Sequence, residues 1–418
     1  MGDLDYRPFP EERDDEFSAF MRYAFSPERG PYDPEADDDD REHLAAYRGL
    51  FDGEEAVAVC GHHDFALRIR GRDRDAAGLS AVASPPEHRR QGHVERLLRE
   101  SLTEYRGDDV RFSVLWPFEH PFYRRYGWET VSRYRSVKAP PEQLAFAAEA
   151  SGGTDGAGEF RRLDADDYDA AADLLAATAD RYDFTMARTA AWWRERTLRG
   201  WQTDPFVYGL ERDGDLRALL SYTFTGRDEG DGTAMVVSDA AVRDPAAWDE
   251  VFRFCRDHDS QVERVRLRLP VDVSLLDRVD DPRAVTEEVR AGPMFRLVDA
   301  AAALAAVDPD PALEARFTLA VDDPLVDWHD RPIRVAVADG AVDAERVDAG
   351  SDPGASARDD ADVTAGVGAL SQLYAGYRDV DDLRAHAALD VDDEAGEGLA
   401  TDLAALFPPR RTFLREGF

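Results

Sequence analysis

Residues Leu79–Trp128 read LSAVASPPEHRRQGHVERLLRESLTEYRGDDVRFSVLWPFEHPFYRRYGW, and their pattern predicts a strand, a turn, a helix and a second strand. The apolar strand from Leu79 to Ala83 ends at Pro85, because proline cannot donate a backbone hydrogen bond to a sheet. After the basic turn at His88–Gly92, apolar residues recur every three to four positions, as on one face of an amphipathic helix. A strand that leads through a short turn into a helix is typical of α/β folds.

The turn before this helix has the features of a phosphate-binding site. Gly92 has no side chain, so a phosphate can approach its backbone closely. The N–H groups of the first helical turn point toward such a group, and Arg89 and Arg90 add charge-assisted hydrogen bonds. Taken alone, a basic turn is equally well explained as solvated surface. The strand before it and the helix after it favour a phosphate-binding role. The stretch therefore predicts a group-transfer enzyme with a phosphate-bearing cofactor and a downstream tyrosine as proton donor.

The same turn resembles the acetyl-CoA signature of the GNAT acetyltransferase superfamily, [QR]-x-x-G-x-[GA]. Arg89 and Gly92 match this signature, and Val94 departs from it at the last small position. The segments LSAVASPPEHRRQG, LWPFEHPFYRRYGWE and LFPPRRTFLREGF resemble the enhanced-intracellular-survival (Eis) acetyltransferases more closely. The resemblance implies acetyl-CoA as co-substrate and no metal. The cofactor-binding residues that we expect are Val82, Ala83, Ser84, Arg89, Arg90, Gln91, Gly92, His93 and Val94.

The Eis resemblance also implies acetyl transfer to a primary amine by direct attack. It assigns Tyr123 as the general acid that protonates the coenzyme A sulfur, and the terminal carboxylate of Phe418 as the general base. From the residues alone, Tyr123 is better explained as a core aromatic, and Tyr126 is the competing hydroxyl. Most chain ends are frayed, but the apolar residues of the last segment argue against fraying here.

An amine pocket is expected beside these groups. Ala81 stands where some relatives carry a bulky aromatic residue, which suggests a roomier or differently shaped pocket. The expected substrate-binding residues are Phe25, Tyr32, Ala81 and Glu416. The histidines have no metal-ligand spacing, so we interpret them as solvated or core residues: His62, His63, His88, His93 and His120.

Together, pattern and resemblance predict a mixed α/β (α+β) architecture of two tandem GNAT-like domains and a sterol-carrier-protein-like domain. The predicted catalytic domain spans residues 1–145, and a degenerate second GNAT-like domain spans 155–300. This second domain lacks a phosphate turn, so we expect no cofactor in it. Residues 301–418 form the sterol-carrier-protein-like domain, which ends in the catalytic carboxylate.

Shorter sequence patterns predict individual strands, a linker and a loop. Ala56–Cys60 and Phe65–Ile69 are predicted as paired strands with a turn at Gly61. The stretch SGGTDGAGE at 151–159 is predicted as a flexible linker. Residues 294–298 are predicted to close the second domain, and an Asp/Gly/Ser-rich loop is predicted at 339–360.

The composition limits the possible partners. The 418-residue chain carries 87 acidic and 51 basic residues, for a formal net charge of −36. This balance disfavours nucleic acid, whose phosphates would be repelled, and it suits cationic substrates. A globular chain with such a surface suggests a halophile, and the alternative is an acidic interaction surface.

The sequence also bears on the location and the assembly of the protein. The N-terminal segment is acidic and has no apolar signal region, and no apolar run is long enough to span a membrane, which predicts a cytoplasmic protein. Cys60 and Cys255 are interpreted as buried apolar residues rather than a disulfide. Eis relatives form hexamers, so we expect a homo-oligomer.

Two other functions fit the sequence. In the first, the chain is a non-enzymatic carrier whose third domain binds a lipid-like ligand and whose first domain is vestigial. In the second, the enzyme transfers an acyl group of a different length. The sequence does not identify the amine.

Overall fold

The computed structural model describes residues 4–35, 42–150, 158–200, 203–226, 232–347, 361–392 and 398–418, with only the backbone at 149 and 150. Most of the predicted linker, residues 151–157, lies outside these ranges. Within them the strands form three mixed sheets, two of seven strands and one of five. The predicted mixed α/β architecture is therefore confirmed.

The first segment contains most of the first sheet and the helices that cover it. Its elements are β1 (Asp5–Pro8), α1 (Asp14–Phe25), β2 (Ala46–Asp52), β3 (Glu55–Ile69), β4 (Arg72–Ala83), α2 (His93–Gly107), β5 (Phe112–Leu115), α3 (His120–Arg124), β6 (Glu129–Thr130), β7 (Arg133–Ala139) and α4 (Phe146–Ala150). Helix α2 buries the apolar face that the sequence predicts, including Leu97, Leu98 and Leu102.

The second segment repeats this plan without the turn that precedes α2. Its elements are β8 (Glu159–Arg162), α5 (Tyr168–Ala179), α6 (Ala190–Trp192), β9 (Phe206–Arg212), β10 (Asp215–Thr225), β11 (Ala234–Val242), α7 (Ala247–Arg256), β12 (Arg264–Pro270), β13 (Thr286–Ala291) and β14 (Met294–Leu297).

The third segment is a smaller sheet covered by helices. Its elements are α8 (Ala300–Leu304), β15 (Ala315–Asp322), β16 (Ile333–Ala338), β17 (Ala341–Arg346), β18 (Val363–Gly366), α9 (Val367–Tyr374), α10 (Val380–Ala385), β19 (Leu389–Val391) and α11 (Leu399–Leu406). The predicted loop at 339–360 is thus partly wrong, because β17 pairs with β16 along its whole length. Residues 348–360 of that loop lie outside the described ranges.

The first two sheets exchange strands, which the predicted boundaries at 1–145 and 155–300 do not anticipate. Strand β14 lies between β5 and β6 in the first sheet, with the order β1-β2-β3-β4-β5-β14-β6. Strand β7 lies between β12 and β13 in the second, with the order β13-β7-β12-β11-β10-β9-β8. Residues 294–298 therefore end the second segment of the chain, but their strand belongs to the first sheet. The exchange makes each sheet depend on both segments of the chain.

The predicted turn at Gly61 is also wrong. Residues Glu55–Ile69 form one strand, and Gly61 pairs with Tyr47 on one side and with Ser80 on the other. A Cβ at position 61 would lie 2.8 Å from the Ser80 hydroxyl oxygen, so the glycine allows close strand contact rather than a reversal. This strand carries His63 and Phe65 to the centre of the molecule.

A buried ion cluster fastens the first sheet to the third domain. Arg296 in β14 donates one hydrogen bond of 2.6 Å to the Tyr126 carbonyl and another of 2.6 Å to the Asp323 carboxylate. His329 Nε2 accepts from the Ala300 amide, so its Nδ1 carries the proton donated to Asp323 at 2.7 Å. The side chains of Arg296, Asp323 and His329 are fully buried.

Asp323→Asn is expected to lower the free energy of unfolding by about 3–5 kcal/mol, because it leaves a buried arginine charge unpaired. Hydrogen bonds from His329 and the charge of Arg296 outweigh burial and lower the pKa of Asp323 from 3.8 to about 2. Its contribution is therefore complete above pH 4 and disappears as pH falls toward 2. Chemical denaturation at several pH values measures both effects, with exposed Asp327→Asn as control. Equal stability of the two variants would contradict this prediction.

Candidate active site

The first sheet opens between β4 and β5, two parallel neighbours. Their paired register covers only Ala77 with Ser113 and Gly78 with Val114, although β4 continues to Ala83. On its other side, β4 stays paired with β3 up to Ala83. The β5-facing edge of β4 after Gly78 is therefore unpaired within the described residues, and its backbone groups are available to a ligand.

The predicted phosphate turn lies at the end of this open edge. Gly92 precedes α2 with φ 83°, a left-handed conformation that favours glycine. A Cβ built on Gly92 meets no atom within 4 Å, so its surroundings are open. The first helical hydrogen bond runs from the Arg96 amide to the Gly92 carbonyl. The amides of His93, Val94 and Glu95 precede that bond and form the N-terminal donor set of the helix.

Most polar side chains of the turn hold the loop in shape. Ser84 Oγ donates to the Val57 carbonyl at 2.8 Å, and Arg89 Nε donates to the Ser84 carbonyl at 3.2 Å. Gln91 donates to the Glu87 carbonyl at 2.9 Å. The role predicted for Arg89 as a phosphate ligand is therefore partly replaced by a structural one.

The remaining residues of the predicted cofactor set surround the same loop. Arg90 is exposed, and Val82 and Ala83 are buried at the end of β4. Val94, where the sequence departs from the signature, packs against the apolar cluster under α2. That departure therefore leaves the backbone of the turn open.

Gly92→Ala is expected to raise the Kd for coenzyme A at least about tenfold. The methyl group would occupy the space in front of the first-turn amides, and a left-handed alanine costs roughly 1–2 kcal/mol. Gly214→Ala is a matched control, because Gly214 has φ 85°, an equally open Cβ position and a hairpin location in the second domain. Calorimetric titration with coenzyme A measures the change. Equal weakening in both variants would show that backbone strain, and not the turn, is responsible.

Tyr123 lies in α3, and its ring is packed in an aromatic group. Its ring makes edge contacts with Phe118 at 5.6 Å and Phe122 at 5.1 Å between centroids, and the residue is 3% exposed. Burial, with a smaller contribution from Cys60, raises the pKa of Tyr123 well above its usual value. The phenol is therefore protonated at neutral pH, as an unperturbed tyrosine also is. Leu79 and Val82 of the open strand belong to the same apolar cluster.

Tyr126, the alternative acid, has a different environment. Its hydroxyl donates to Glu95 at 3.4 Å, and Arg125 lies 4.7 Å from its ring centroid. The Tyr123 hydroxyl makes no hydrogen bond to any described residue. This contrast favours Tyr123 over Tyr126 as the hydroxyl that remains available to a ligand.

The last residues of the chain are fixed between the first two domains. Phe413 donates its amide to the Asp183 carbonyl at 2.9 Å, and Thr412 donates its hydroxyl to the Val131 carbonyl at 2.6 Å. Trp116 Nε1 donates to the Glu416 carbonyl at 2.7 Å. A frayed end is inconsistent with these contacts.

The ring of Phe418 reaches the point where β4 and β5 separate. Its centroid lies 4.7 Å from that of Phe65 and 5.5 Å from that of His63. A Cβ at Gly78 would lie 3.0 Å from the Phe418 ring and 2.2 Å from the Phe65 ring, so this position requires glycine. Gly78 is also the last residue of β4 that pairs with β5. The chain terminus and the opening of the sheet therefore meet at one residue.

The surroundings of Glu416 do not fit the substrate-binding role expected from the sequence. It is 4% exposed, and its Oε1 accepts from Arg188 Nε at 2.8 Å. Arg188 also pairs with Asp239 at 2.6 Å. A carboxylate that is buried and neutralised in this way holds the tail against the second domain, so we correct its role from substrate contact to anchor.

Of the other predicted substrate residues, Phe25 and Tyr32 lie on and after α1, and Ala81 lies in β4. Phe25 is 50% exposed at the end of α1, and Tyr32 donates its hydroxyl to Asp15 at 3.4 Å. Ala81 has φ 54° and packs against the aromatic cluster under α1. The guanidinium of Arg89 lies 5.3 Å from the ring centroid of Tyr23 in the same helix. Helix α1 is therefore adjacent to the phosphate turn.

Sequence reasoning missed His63 and Trp192 at this site. His63 is 3% exposed, and its Nε2 lies 3.1 Å from the Ser80 hydroxyl oxygen. Burial and the charge of Arg196 lower the pKa of His63 to about 4, so the ring is neutral at pH 7. His63 and Phe65 are two residues apart in β3, so their side chains lie on the same face of the strand. This was missed because the predicted strands were divided at Gly61. The ring centroid of Trp192 lies 6.3 Å from that of His63. Trp192 belongs to the second domain, and no sequence pattern indicates its place at this site.

Two other features bear on the class of site. The described residues contain no group of three or more His, Cys, Asp and Glu side chains that could hold a metal ion. Over the same ranges, no helix combines the length and apolar character needed to cross a membrane.

Known families match each of the three segments. A GNAT acetyltransferase domain matches residues 5–131, a second GNAT acetyltransferase domain matches 185–297, and a sterol carrier protein domain matches 300–415. The chain is 27% identical over 365 residues to an uncharacterized N-acetyltransferase of Streptomyces coelicolor, covering 85% of this chain and 86% of that protein.

Solved structures share the whole fold. A probable N-acyltransferase from Enterococcus faecalis aligns with a TM-score of 0.80 at 18% identity, over 99% of this chain and 100% of that one. Eis1 from Mycobacterium abscessus aligns with a TM-score of 0.71 at 20% identity, over the same shares of the two chains. The chain is thus an acyltransferase built from two tandem GNAT acetyltransferase domains and a C-terminal sterol carrier protein domain.

Proposed function

We propose that this acyltransferase moves the acetyl group of acetyl-CoA to a primary amine, with Tyr123 as general acid and the Phe418 carboxylate as general base. The observation that carries the proposal is the meeting of the Phe418 ring with Gly78, where β4 and β5 separate. The open edge of β4 and the amides after Gly92 supply donors for the coenzyme. GNAT acetyltransferases use acetyl-CoA, which is the donor expected from the sequence.

The reaction removes two protons from the nitrogen and delivers one to the sulfur. An alkyl ammonium has a pKa near 10.4, so only about 0.04% is free base at pH 7. In the proposed sequence, the Phe418 carboxylate takes the first proton from the ammonium, directly or through water, and passes it to solvent. The free amine then attacks the thioester carbonyl, and the carboxylate accepts the second proton as the C–N bond forms. Tyr123 donates its proton to the sulfur as the C–S bond breaks, and the phenolate regains a proton from solvent. Tyr123 carries that proton at pH 7, because a phenol with an ordinary or raised pKa is un-ionised there.

The acceptor is proposed to be a cationic small molecule or an amino-terminal peptide. A formal net charge of −36 repels polyanions and favours ammonium groups. Two aromatic side chains near the turn, Phe25 and Tyr32, are proposed to contact the carbon chain of the amine. The small Ala81 is proposed to leave a roomier or differently shaped amine pocket.

The experiment that tests this function is release of thiol from acetyl-CoA against polyamines, aminoglycosides and amino-terminal peptides. We expect release with at least one amine, together with binding of acetyl-CoA measured by calorimetry. No release and no binding would favour the carrier function for the third domain. Binding with release only from longer thioesters would change the donor and leave the site intact.

We further propose an Eis-like cytoplasmic enzyme of a halophile that assembles as a hexamer. The three segments quoted above support the Eis-like grouping, and the excess of 36 acidic charges supports concentrated salt. Unfolding measured from low to molar KCl tests the salt requirement, and full stability at low salt would contradict it. Light scattering after size exclusion tests the assembly, and a monomeric mass would contradict the hexamer.

A further inference from the structure

A second concave site lies at the start of β4, the end of that strand opposite the phosphate turn, between the first sheet and the third domain. The cleft has a volume of about 490 Å³. Arg72 and Arg74 at the start of β4 and Arg111 before β5 line one side. Residues 305–308 and 340–342 of the third domain line the other. This volume is large enough for a small organic molecule.

The charge of this cleft is opposite to that of the chain. Asp308 is the acidic residue among those that line it, so three guanidinium groups face one carboxylate. Arg72 pairs with Asp308 at 2.6 Å, and Arg74 donates to the Ala306 carbonyl and lies 3.4 Å from Asp308. Arg111 forms no ion pair or side-chain hydrogen bond with any described residue. A cleft with net positive charge contrasts with the rest of a chain that carries 87 acidic residues.

Buried donors without partners lie beside these arginines. The Tyr374 hydroxyl and Arg74 Nε are buried, and neither has a hydrogen-bond partner among the described residues. Tyr374 is fully buried, and its ring centroid lies 5.4 Å from that of Phe112, the residue after Arg111. The charges of Arg74, Arg70 and Arg111 act on its hydroxyl, while burial raises its pKa to about 12. An unsatisfied buried donor costs roughly 1–3 kcal/mol, and Arg74, whose Nε is unsatisfied, lines the cleft, where an acceptor oxygen could reach it.

We propose that this cleft binds a small organic phosphate, at a site separate from the one that holds coenzyme A. Guanidinium groups recognise phosphate oxygens by paired, charge-assisted hydrogen bonds. Arg111 supplies the uncommitted charge, and Arg72 and Arg74 supply the flanking charges. The cleft is larger than one phosphate group, so the rest of the ligand contacts the alanine-rich wall of the third domain. Because the site joins two domains, its ligand also stabilises their contact.

Inorganic pyrophosphate is the probe, titrated by calorimetry in the presence of saturating coenzyme A so that the turn at Gly92 is occupied. The intact protein, Arg111→Gln and the control Arg316→Gln are compared at one salt concentration, because salt screens arginine charges. Arg316 is exposed on β15 and does not line the cleft. The side chain of Arg111 has no described partner, so thermal unfolding should confirm that Arg111→Gln folds normally.

We expect pyrophosphate to bind the intact protein and Arg316→Gln equally, with a Kd at least about tenfold higher in Arg111→Gln. Arg111→Gln is expected to leave coenzyme A binding unchanged. No pyrophosphate binding by the intact protein, or equal binding by the two arginine variants, would overturn the proposal. Because the readout is equilibrium binding, it does not depend on whether the enzyme acetylates an amine.

Discussion

Tyr123→Phe is expected to lower kcat by about 10²- to 10⁴-fold, the range that a positioned general acid contributes. Without the phenolic proton, the leaving thiolate must depart as an anion from a buried site. The loss should appear in kcat while the Kd for acetyl-CoA stays within about twofold. Steady-state thiol release and calorimetric titration measure the two quantities.

The Tyr123→Phe substitution removes the phenolic proton with little other change to the site. The Tyr123 hydroxyl makes no hydrogen bond to a described residue, so its removal leaves no protein group unsatisfied and the fold should tolerate it. Tyr126→Phe is the matched control, because Tyr126 lies three residues away and its hydroxyl is bound to Glu95. We expect the control to keep most of its activity. A Tyr123→Phe enzyme with unchanged kcat, or a larger loss in Tyr126→Phe, would remove the acid assignment.

Extending the chain by one glycine after Phe418 is expected to abolish measurable turnover. One residue moves the terminal carboxylate by about 3.8 Å, and a misplacement of about 1 Å can already cost a factor of about 10². The ring of Phe418 would stay between His63 and Phe65, so the effect reports on the carboxylate. The same glycine added at the amino terminus is the control.

A carboxamide at the C-terminus distinguishes the effect of the charge of the Phe418 carboxylate from the effect of its position. It preserves the Phe418 ring and its distance from Gly78 while it removes the basic oxygen. We expect the amidated enzyme to lose turnover to the same extent as the extended one. Full activity of the amidated enzyme would mean that Phe418 anchors the tail through its ring and that another group, such as the neutral His63, accepts the proton.

Local signals in the sequence were sufficient for the phosphate turn. Gly92, its helix and the end of the flanking strand at Ala83 depend on residues within one stretch, and the structure contains all three, although β4 begins at Arg72 and not at Leu79. Tyr123 differs, because it lies in the short helix α3 (His120–Arg124), where the sequence pattern predicted a turn. Residue patterns over short distances determine these elements through backbone conformation and a buried helical face.

Long-range features were not accessible in this way. The exchange of β7 and β14 depends on pairing between strands more than 120 residues apart, for which a single sequence gives no register. The anchoring role of Glu416 was missed, because its partner Arg188 is 228 residues earlier in the chain. The position of His63 was missed because one glycine in β3 was taken as a turn. The unpredicted part of the site is therefore the part that the strand exchange and the terminal segment assemble.

The most direct test of the central claim is a crystal structure of the enzyme with coenzyme A. We predict that the pyrophosphate accepts hydrogen bonds from the amides of His93 and Val94, and that the sulfur lies between the Tyr123 hydroxyl and the Phe418 carboxylate. Coenzyme A bound elsewhere, or a sulfur distant from either group, would contradict the account.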